Sequence, residues 1–360
     1  MSRARTFADL ATASEEGSLA NRNYFYNGDM QIYQRGSTAV ASDSIARTLD
    51  RWRMYNYSDG AVTVTQDTNA PSATAFTKSL KIDVTTADSS IGADEVAFIQ
   101  QRFEGQDLQN FLKGTSSAKK GTLQFWVSSP KTGTHIVEWY DTDNSRQISK
   151  TYTISSANTW EFKTITFDAD TTGTWNNDNL QSLEITWWLC AGTNFTSGTL
   201  NTTWGSVTAA NRAVGQVNVF DNTSNNFYLT GVQLELGEVA TPFKHETYID
   251  SLARCQRYFQ ISGDARTYGI VANQHTTTAC YSNLRWWQLM RAAPTVTIGA
   301  TSAYNVYNAT ENVTISDIDA AQITANSCEL YATMSSRTAG TATHINTNGD
   351  TTFWKAESEL

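Results

Sequence analysis

From Tyr24 onward the chain is cut into runs of six to ten residues in which apolar and polar side chains alternate, with clusters of Gly, Asn, Asp and Ser between them. A period of two sends successive side chains to opposite faces, so each run reads as a β-strand with one buried face. The clearest runs are residues 61–66, 79–84, 122–127, 135–140, 162–167, 183–189 and 227–236. In the third, Leu123, Phe125 and Val127 share a face; in the fifth, Phe162, Thr164 and Thr166 oppose Lys163, Ile165 and Phe167. Strands patterned this way belong to antiparallel sheets packed face to face. Composition agrees: Trp, Tyr and Phe number 11, 15 and 15 against 4 prolines, and aromatic and β-branched residues suit a pleated, half-buried surface. The expected class is all-β, an antiparallel β-sandwich.

Several segments depart from this pattern. Residues 3–19 carry a weak amphipathic pattern at Phe7, Leu10 and Ala11, too short to fold alone. This arm either frays or docks on another subunit, and Arg3, Phe7 and Leu10 are its expected attachment residues. Residues 105–112 read as one or two helical turns, and 248–259 as a short helix with Ile249, Leu252, Cys255 and Phe259 on one stripe. The second helix follows Ala240-Thr241-Pro242-Phe243, a plausible boundary. Beyond it, strand-like pieces at 266–271, 295–298, 312–315 and 327–334 form a second, smaller β unit. The division expected is an arm over 1–22, a sandwich over 23–245 and a C-terminal β domain over 246–360.

A net charge of −9 argues against nucleic acid as a ligand, because neutralising phosphates needs a Lys/Arg footprint. Cys190, Cys255, Cys280 and Cys328 form neither a CxxC pair nor a metal spacing, and read as buried free thiols made in a reducing cytoplasm. The N-terminus has no apolar core of a signal peptide, and no run of 18 apolar residues occurs, so membrane insertion is not expected.

The segment Asn23-Tyr24-Phe25-Tyr26-Asn27-Gly28-Asp29-Met30-Gln31-Ile32, running on to Gln34-Arg35-Gly36, and Leu49-Asp50-Arg51-Trp52 after it, resemble the opening of a domain found in phage and prophage tail-fibre proteins. Gly231-Val232-Gln233-Leu234-Glu235-Leu236-Gly237, Ala240-Thr241-Pro242-Phe243 and Cys255-Gln256-Arg257-Tyr258-Phe259 resemble its close. Between these ends, Phe125-Trp126-Val127 and Ile185-Thr186-Trp187-Trp188-Leu189 stand in the family's order. Met290-Arg291-Ala292-Ala293-Pro294 and Ala356-Glu357-Ser358-Glu359-Leu360 resemble its tail. The resemblance implies a jelly roll of the carbohydrate-binding-module type, carried by virion fibres that are usually homotrimers. Large tail fibres carry a long anchoring region, whereas this chain starts about twenty residues before the domain. The expectation is a short spike, or a subunit joined through its N-terminal arm to tail or capsid proteins.

Sugar sites stack aromatic rings on the apolar face of a pyranose and satisfy its hydroxyls with amides and carboxylates. Trp139, Tyr140, Trp175, Trp187, Trp188 and Trp204 are the candidate carbohydrate-binding residues; packing of the core or of a subunit contact is the competing use of each. In adjacent pairs such as Trp187 and Trp188 the rings must point to opposite sides of the sheet. Clusters at Asp141-Thr142-Asp143-Asn144, Asp168-Ala169-Asp170 and Asp221-Asn222 offer oxygen ligands for a structural calcium, or serve as Asx turns. The histidines His135, His245, His275 and His344 form no HxH or HExxH, no GxSxG surrounds a serine, and Glu138, Glu184 and Asp221 show no pairing in the sequence. No enzyme and no cofactor is expected. The function expected is a virion fibre or spike protein that binds host surface polysaccharide. A purely structural adaptor or capsid-surface knob is the alternative, and a polysaccharide depolymerase comes third.

Overall fold

The computed structural model describes residues 23–262, 269–308, 312–347 and 353–360; the arm with Arg3, Phe7 and Leu10 lies outside them. The chain divides into two compact units, Met1–Ser251 with Leu360, and Leu252–Glu359. In the first, thirteen described strands run in chain order: β1 Thr38–Val40, β2 Ser44–Arg47, β3 Arg53–Tyr57, β4 Ala61–Asp67, β5 Ser79–Thr86, β6 Val96–Glu104, β7 Gly121–Ser128, β8 Gly133–Asp141, β9 Arg146–Ile154, β10 Glu161–Phe167, β11 Gln181–Ala191, β12 Gly205–Ser206 and β13 Asn226–Leu236. A six-stranded sheet has the order β1-β4-β5-β13-β7-β10, and a seven-stranded sheet the order β12-β9-β8-β11-β6-β3-β2. Every described pairing is antiparallel. The late strands β11 and β13 insert between earlier ones, the crossover connection of a jelly-roll β-sandwich. All seven runs of alternation are strands; residues 105–111 form a 3-10 helix that ends at Leu112 in the left-handed conformation.

The alternation decides what fills the space between the sheets. Leu123, Phe125 and Val127 of β7 face Leu183, Ile185 and Trp187 of β11 across one continuous core. Trp187 is fully buried, with Phe25, Trp52 and Phe125 rings at 5.8, 5.6 and 5.6 Å. Phe25 and Trp52 come from the opening motifs, so the start of the domain supplies the centre of its core. Asn23 then joins start to finish. Its amide oxygen accepts from the backbone N–H of Phe25 and Leu234 at 3.0 and 3.2 Å, and its Nδ2 donates to the Val232 carbonyl at 3.1 Å. Beside it Val232 donates to the Gly28 carbonyl at 2.9 Å, an approach so close that a Cβ on Gly28 would lie 2.1 Å from the Val232 oxygen.

The second unit carries β14 Phe259–Ile261, β15 Gly269–Gln274, β16 Ala279–Arg285, β17 Thr295–Ile298, β18 Tyr304–Tyr307, β19 Asn312–Ala321, β20 Ser327–Met334, β21 Ala342–Thr347 and β22 Trp354–Glu357. A closed barrel has the order β15-β16-β20-β19-β18-β21, beside a three-stranded sheet β14-β22-β17. Those three strands are the segments that follow Cys255-Gln256-Arg257-Tyr258, follow Pro294 and precede the last residues. The family-like pieces of the tail are therefore partners in one small sheet. The helix expected over 248–259 is shorter, Tyr248–Gln256, because Phe259 joins β14 and is buried there.

Two measurements test this framework. Gly28→Ala drives a Cβ into the Val232 main-chain carbonyl, and destabilisation of roughly 1–3 kcal/mol is expected in denaturant melts; an unchanged midpoint would contradict the contact. His135 is fully buried against Tyr152 and Phe227, and burial pushes its pKa from 6.5 down to about 4. The folded chain therefore holds a neutral ring where the unfolded chain takes up a proton. Its contribution is complete above about pH 6.5 and falls as the pH drops toward 4, by on the order of 3 kcal/mol. His135→Phe is expected to flatten the pH dependence of stability across that window.

Candidate glycan-binding site

The structure places the six aromatic candidates unevenly. Trp187 and Trp188 do point to opposite sides of β11, yet both are 0% exposed. Trp187 fills the inter-sheet core, whereas Trp188 joins a second cluster with Phe98, Ile136 and Ala213. The segment after β11 returns over the outer sheet face, with Ala213 bonded to the Phe195 carbonyl at 3.0 Å and the Ser149 hydroxyl to the Arg212 carbonyl at 2.8 Å. Trp139 is buried on Phe167 at 4.3 Å, and Trp175 on Phe111 at 5.7 Å. A ring packed on its neighbours cannot lie flat on a pyranose, so Trp139, Trp175, Trp187 and Trp188 are corrected from sugar platforms to packing residues. Half-buried Trp204 donates to the Asp168 carbonyl at 2.7 Å, and half-buried Tyr140 lies under the Arg212 guanidinium at 5.2 Å.

The acidic clusters also have internal occupations. Asp141 and Asp170 do come together, and the cation between them is the Lys113 ammonium. It lies 2.6 Å from Asp141, 3.1 Å from Asp170, and 2.9 and 2.7 Å from the Thr172 and Gly173 carbonyls. Lys113 thus stands where those oxygens would otherwise offer a calcium shell. Arg146 adds a bidentate pair to Asp170 at 2.7 and 3.0 Å. Burial pushes the Asp170 carboxyl up, but Arg146, the Thr172 N–H and Lys113 outweigh it and hold the group below its ordinary value. Asp221 is bound by Lys131 and by Asn225 at 2.7 Å. Among the described residues no set of three His, Cys, Asp or Glu side chains is arranged to hold a metal. Glu138 forms a bidentate pair with Arg212 at 2.8 Å, and Glu184 pairs with Arg102 at 2.7 Å.

A cleft among the described residues opens on the outer face of the six-stranded sheet. Because Phe125 points inward, Gln124 and Trp126 point out, and the register sets Trp126 between Thr230 of β13 and Phe162 of β10. A bulge between Thr230 and Gln233 is turned by Gly231 at φ +62°, a conformation natural for glycine. A Cβ there would come within 2.7 Å of the Phe76 ring and 3.0 Å of Trp126; its absence leaves room between them. The wall is the family-like segment Ala240-Thr241-Pro242-Phe243. Glu235 straps it by accepting from both the N–H and hydroxyl of Thr241, and Gln233 by accepting from the Lys244 N–H at 2.7 Å. Phe76 meets Phe243 edge-on at 4.9 Å, and Trp126 meets Phe162 at 5.3 Å.

These residues enclose about 330 Å³, the size of a small-ligand pocket. Phe162 is 47% exposed and Trp126 is half-buried. The Gln124 side chain is only 3% exposed and lines the cleft with no hydrogen-bond partner among the described residues. Among the described residues no charged side chain lines the cavity. An amide held unpaired beneath two accessible rings is equipped to bind one edge of a sugar while the rings take its apolar face. Neither Trp126 nor Phe162 was among the six candidates. The signal was the alternation itself, which sends both outward; sequence gave no sign that their strands pair side by side.

No protein-family model matches the chain, and no curated protein does. Among solved structures it is similar to the enzymatically active domain of bacteriophage CBA120 tailspike protein 4, at 16% identity and TM-score 0.31, covering 59% of this chain and 21% of that one. The chain thus spans about a fifth of that domain. It is also similar to TmCBM61 in complex with β-1,4-galactotriose, at 12% identity and TM-score 0.31 over 60% and 99% of the two chains. A family 11 carbohydrate-binding module from Clostridium thermocellum gives 12% identity and TM-score 0.29 over 57% and 97%.

Two substitutions separate packing from binding. Trp187→Ala is expected to cost about 3–5 kcal/mol of stability, while Trp126→Ala costs about 1 kcal/mol or less; equal losses in thermal melts would show that Trp126 also belongs to the core. Lys113→Met takes the ammonium from buried Asp141 and leaves Asp170 to Arg146 alone, and a loss of about 3–5 kcal/mol is expected.

Proposed function

We propose that this chain is a non-enzymatic, glycan-binding subunit of a bacteriophage fibre or spike, and that the cleft on the six-stranded sheet takes a neutral sugar of a host surface polysaccharide. The observation that carries the binding role is the Gln124 amide, which lines the cleft with Trp126 and Phe162 and has no hydrogen-bond partner among the described residues. Its oxygen and nitrogen are open to an incoming sugar hydroxyl. The virion setting rests on the family-like motifs, which build the core, the sheet junction and the cleft wall. A non-enzymatic role is supported by Glu138 and Glu184, both engaged by arginines rather than left free to act as acid and base. A homotrimer assembled in the host cytoplasm, and joined by its N-terminal arm to tail or capsid proteins, would let weak single sites act together.

The test is binding of the purified chain to an array of bacterial envelope polysaccharides, repeated with Trp126→Ala and Phe162→Ala after their melts confirm folding. Loss of at least about tenfold in affinity is expected for each. A wild-type chain that binds no polysaccharide would favour a purely structural virion part, and release of reducing ends from any of them would overturn the non-enzymatic reading.

A further inference from the structure

The opposite face of the sandwich carries different chemistry. Strand β3 buries Met54 and Asn56 and turns Arg53, Tyr55 and Tyr57 outward. The register aligns Tyr55 with Phe98 of β6 and Phe98 with Trp188 of β11. The rings form a ladder: Tyr57 to Tyr55 at 4.6 Å, Tyr55 to Phe98 at 4.6 Å and only 5° from parallel, Phe98 to Trp188 at 5.2 Å. The Trp188 end lies under the segment that follows β11, whereas the other end is open, with Tyr57 38% exposed. Neither tyrosine hydroxyl has a partner among the described residues.

Charge is concentrated beside this ladder. Arg53 lies 5.7 Å from the Tyr55 ring centre. With the Gln100 amide turned so that its oxygen faces the arginines, that oxygen accepts from Arg53 Nη1 at 2.8 Å and Arg102 Nε at 3.1 Å. The Glu184 carboxylate is already taken by Arg102 at 2.7 Å and Gln181 at 2.9 Å. Arg53 has no carboxylate partner among the described residues, and its Nε is buried with no acceptor. Burial, then the positive charges of Arg102 and Arg47, push its pKa down to about 10, so it remains a cation at neutral pH. Arg47 is itself bonded to the Leu360 carbonyl at 2.7 Å. Glu184 lies near enough to favour the charge without pairing with it, and a guanidinium with no paired carboxylate, on a chain of net charge −9, is a local feature that the overall field opposes.

We infer a second saccharide site on β3 and β6, selective for acidic sugars, in which Arg53 binds the carboxylate of a uronic acid and the exposed Tyr57 ring, at the open end of the ladder, stacks on its apolar face. The planar guanidinium matches a carboxylate, and the tyrosine hydroxyls stand within the same face for the sugar's hydroxyls. This site is independent of the cleft built on Trp126, which has no charged lining.

The test uses titration calorimetry of the full chain at low ionic strength with polygalacturonate and with the same polymer fully methyl-esterified, which keeps the sugar and removes its charge. Wild type is expected to bind the acid polymer at least tenfold more tightly than the ester, with the difference shrinking as salt is added. Arg53→Gln should remove that preference, and Trp126→Ala should leave it intact. Should Arg53→Gln fail to fold, Arg53→Lys keeps the charge without the fork and should weaken binding several-fold. No binding of polygalacturonate by folded wild type, equal binding of the ester, or indifference to the Arg53 variants would each overturn the site. Loss of uronate binding in Trp126→Ala would place the ligand in the other cleft and overturn it too. Failure of the neutral-sugar reading has its own signature, since it leaves the arginine-dependent binding untouched.

Discussion

The sandwich depends on a single asparagine amide. Asn23 spends its oxygen and its nitrogen on the backbone of β13, more than two hundred residues later in the chain, and so pins the entry segment to the last strand. Everything central follows from that junction. It holds Phe25 over Trp52 at 5.7 Å and against Trp187, and it brings Gly28 onto Val232, within the bulge beside the cleft. Strand β13 can carry an irregularity at its middle because its surroundings are fixed by a partner that is not a neighbouring strand. The opening and closing motifs of the domain are thus halves of one contact.

Much of this architecture was legible in the residues. Period-two alternation located the strands that carry the core, since Leu123, Phe125 and Val127 can only share a face if the backbone is extended. Strands of other composition were not legible. Strand β6, Val96–Glu104, is buried along nearly its whole length with glutamines among its apolar residues, so it shows no alternation to read. Strand β9, Arg146–Ile154, is rich in polar residues that are buried by a loop rather than by a sheet.

The candidate site was legible in kind and misplaced in position. An aromatic-rich sheet surface was the expectation, but tryptophan content identifies rings without saying what will cover them. Alternation put Trp187 and Trp188 on opposite sides without saying which is outer; Trp188 is the outer one, and a loop without periodicity returns over it. Trp126 also lies on an outer face, and there a strap held by Gln233 and Glu235 passes alongside and leaves the ring accessible. The distinction lies in long-range cover, which no local pattern encodes. The outer face of the other sheet repeats this lesson, since one end of its aromatic ladder is closed by the same returning loop.

Lys113 has a consequence for the setting in which such a protein works. A calcium ion held by carboxylates is a guest: its occupancy follows the free ion concentration, and dilution or a competing chelator removes it. The ammonium among Asp141, Asp170 and two carbonyl oxygens is tethered to the chain by its own side chain. Its local concentration is set by covalent bonds, and no medium can wash it out. The folded chain keeps this cation in any dilution, and with it the bonds that hold the Thr172 and Gly173 carbonyls.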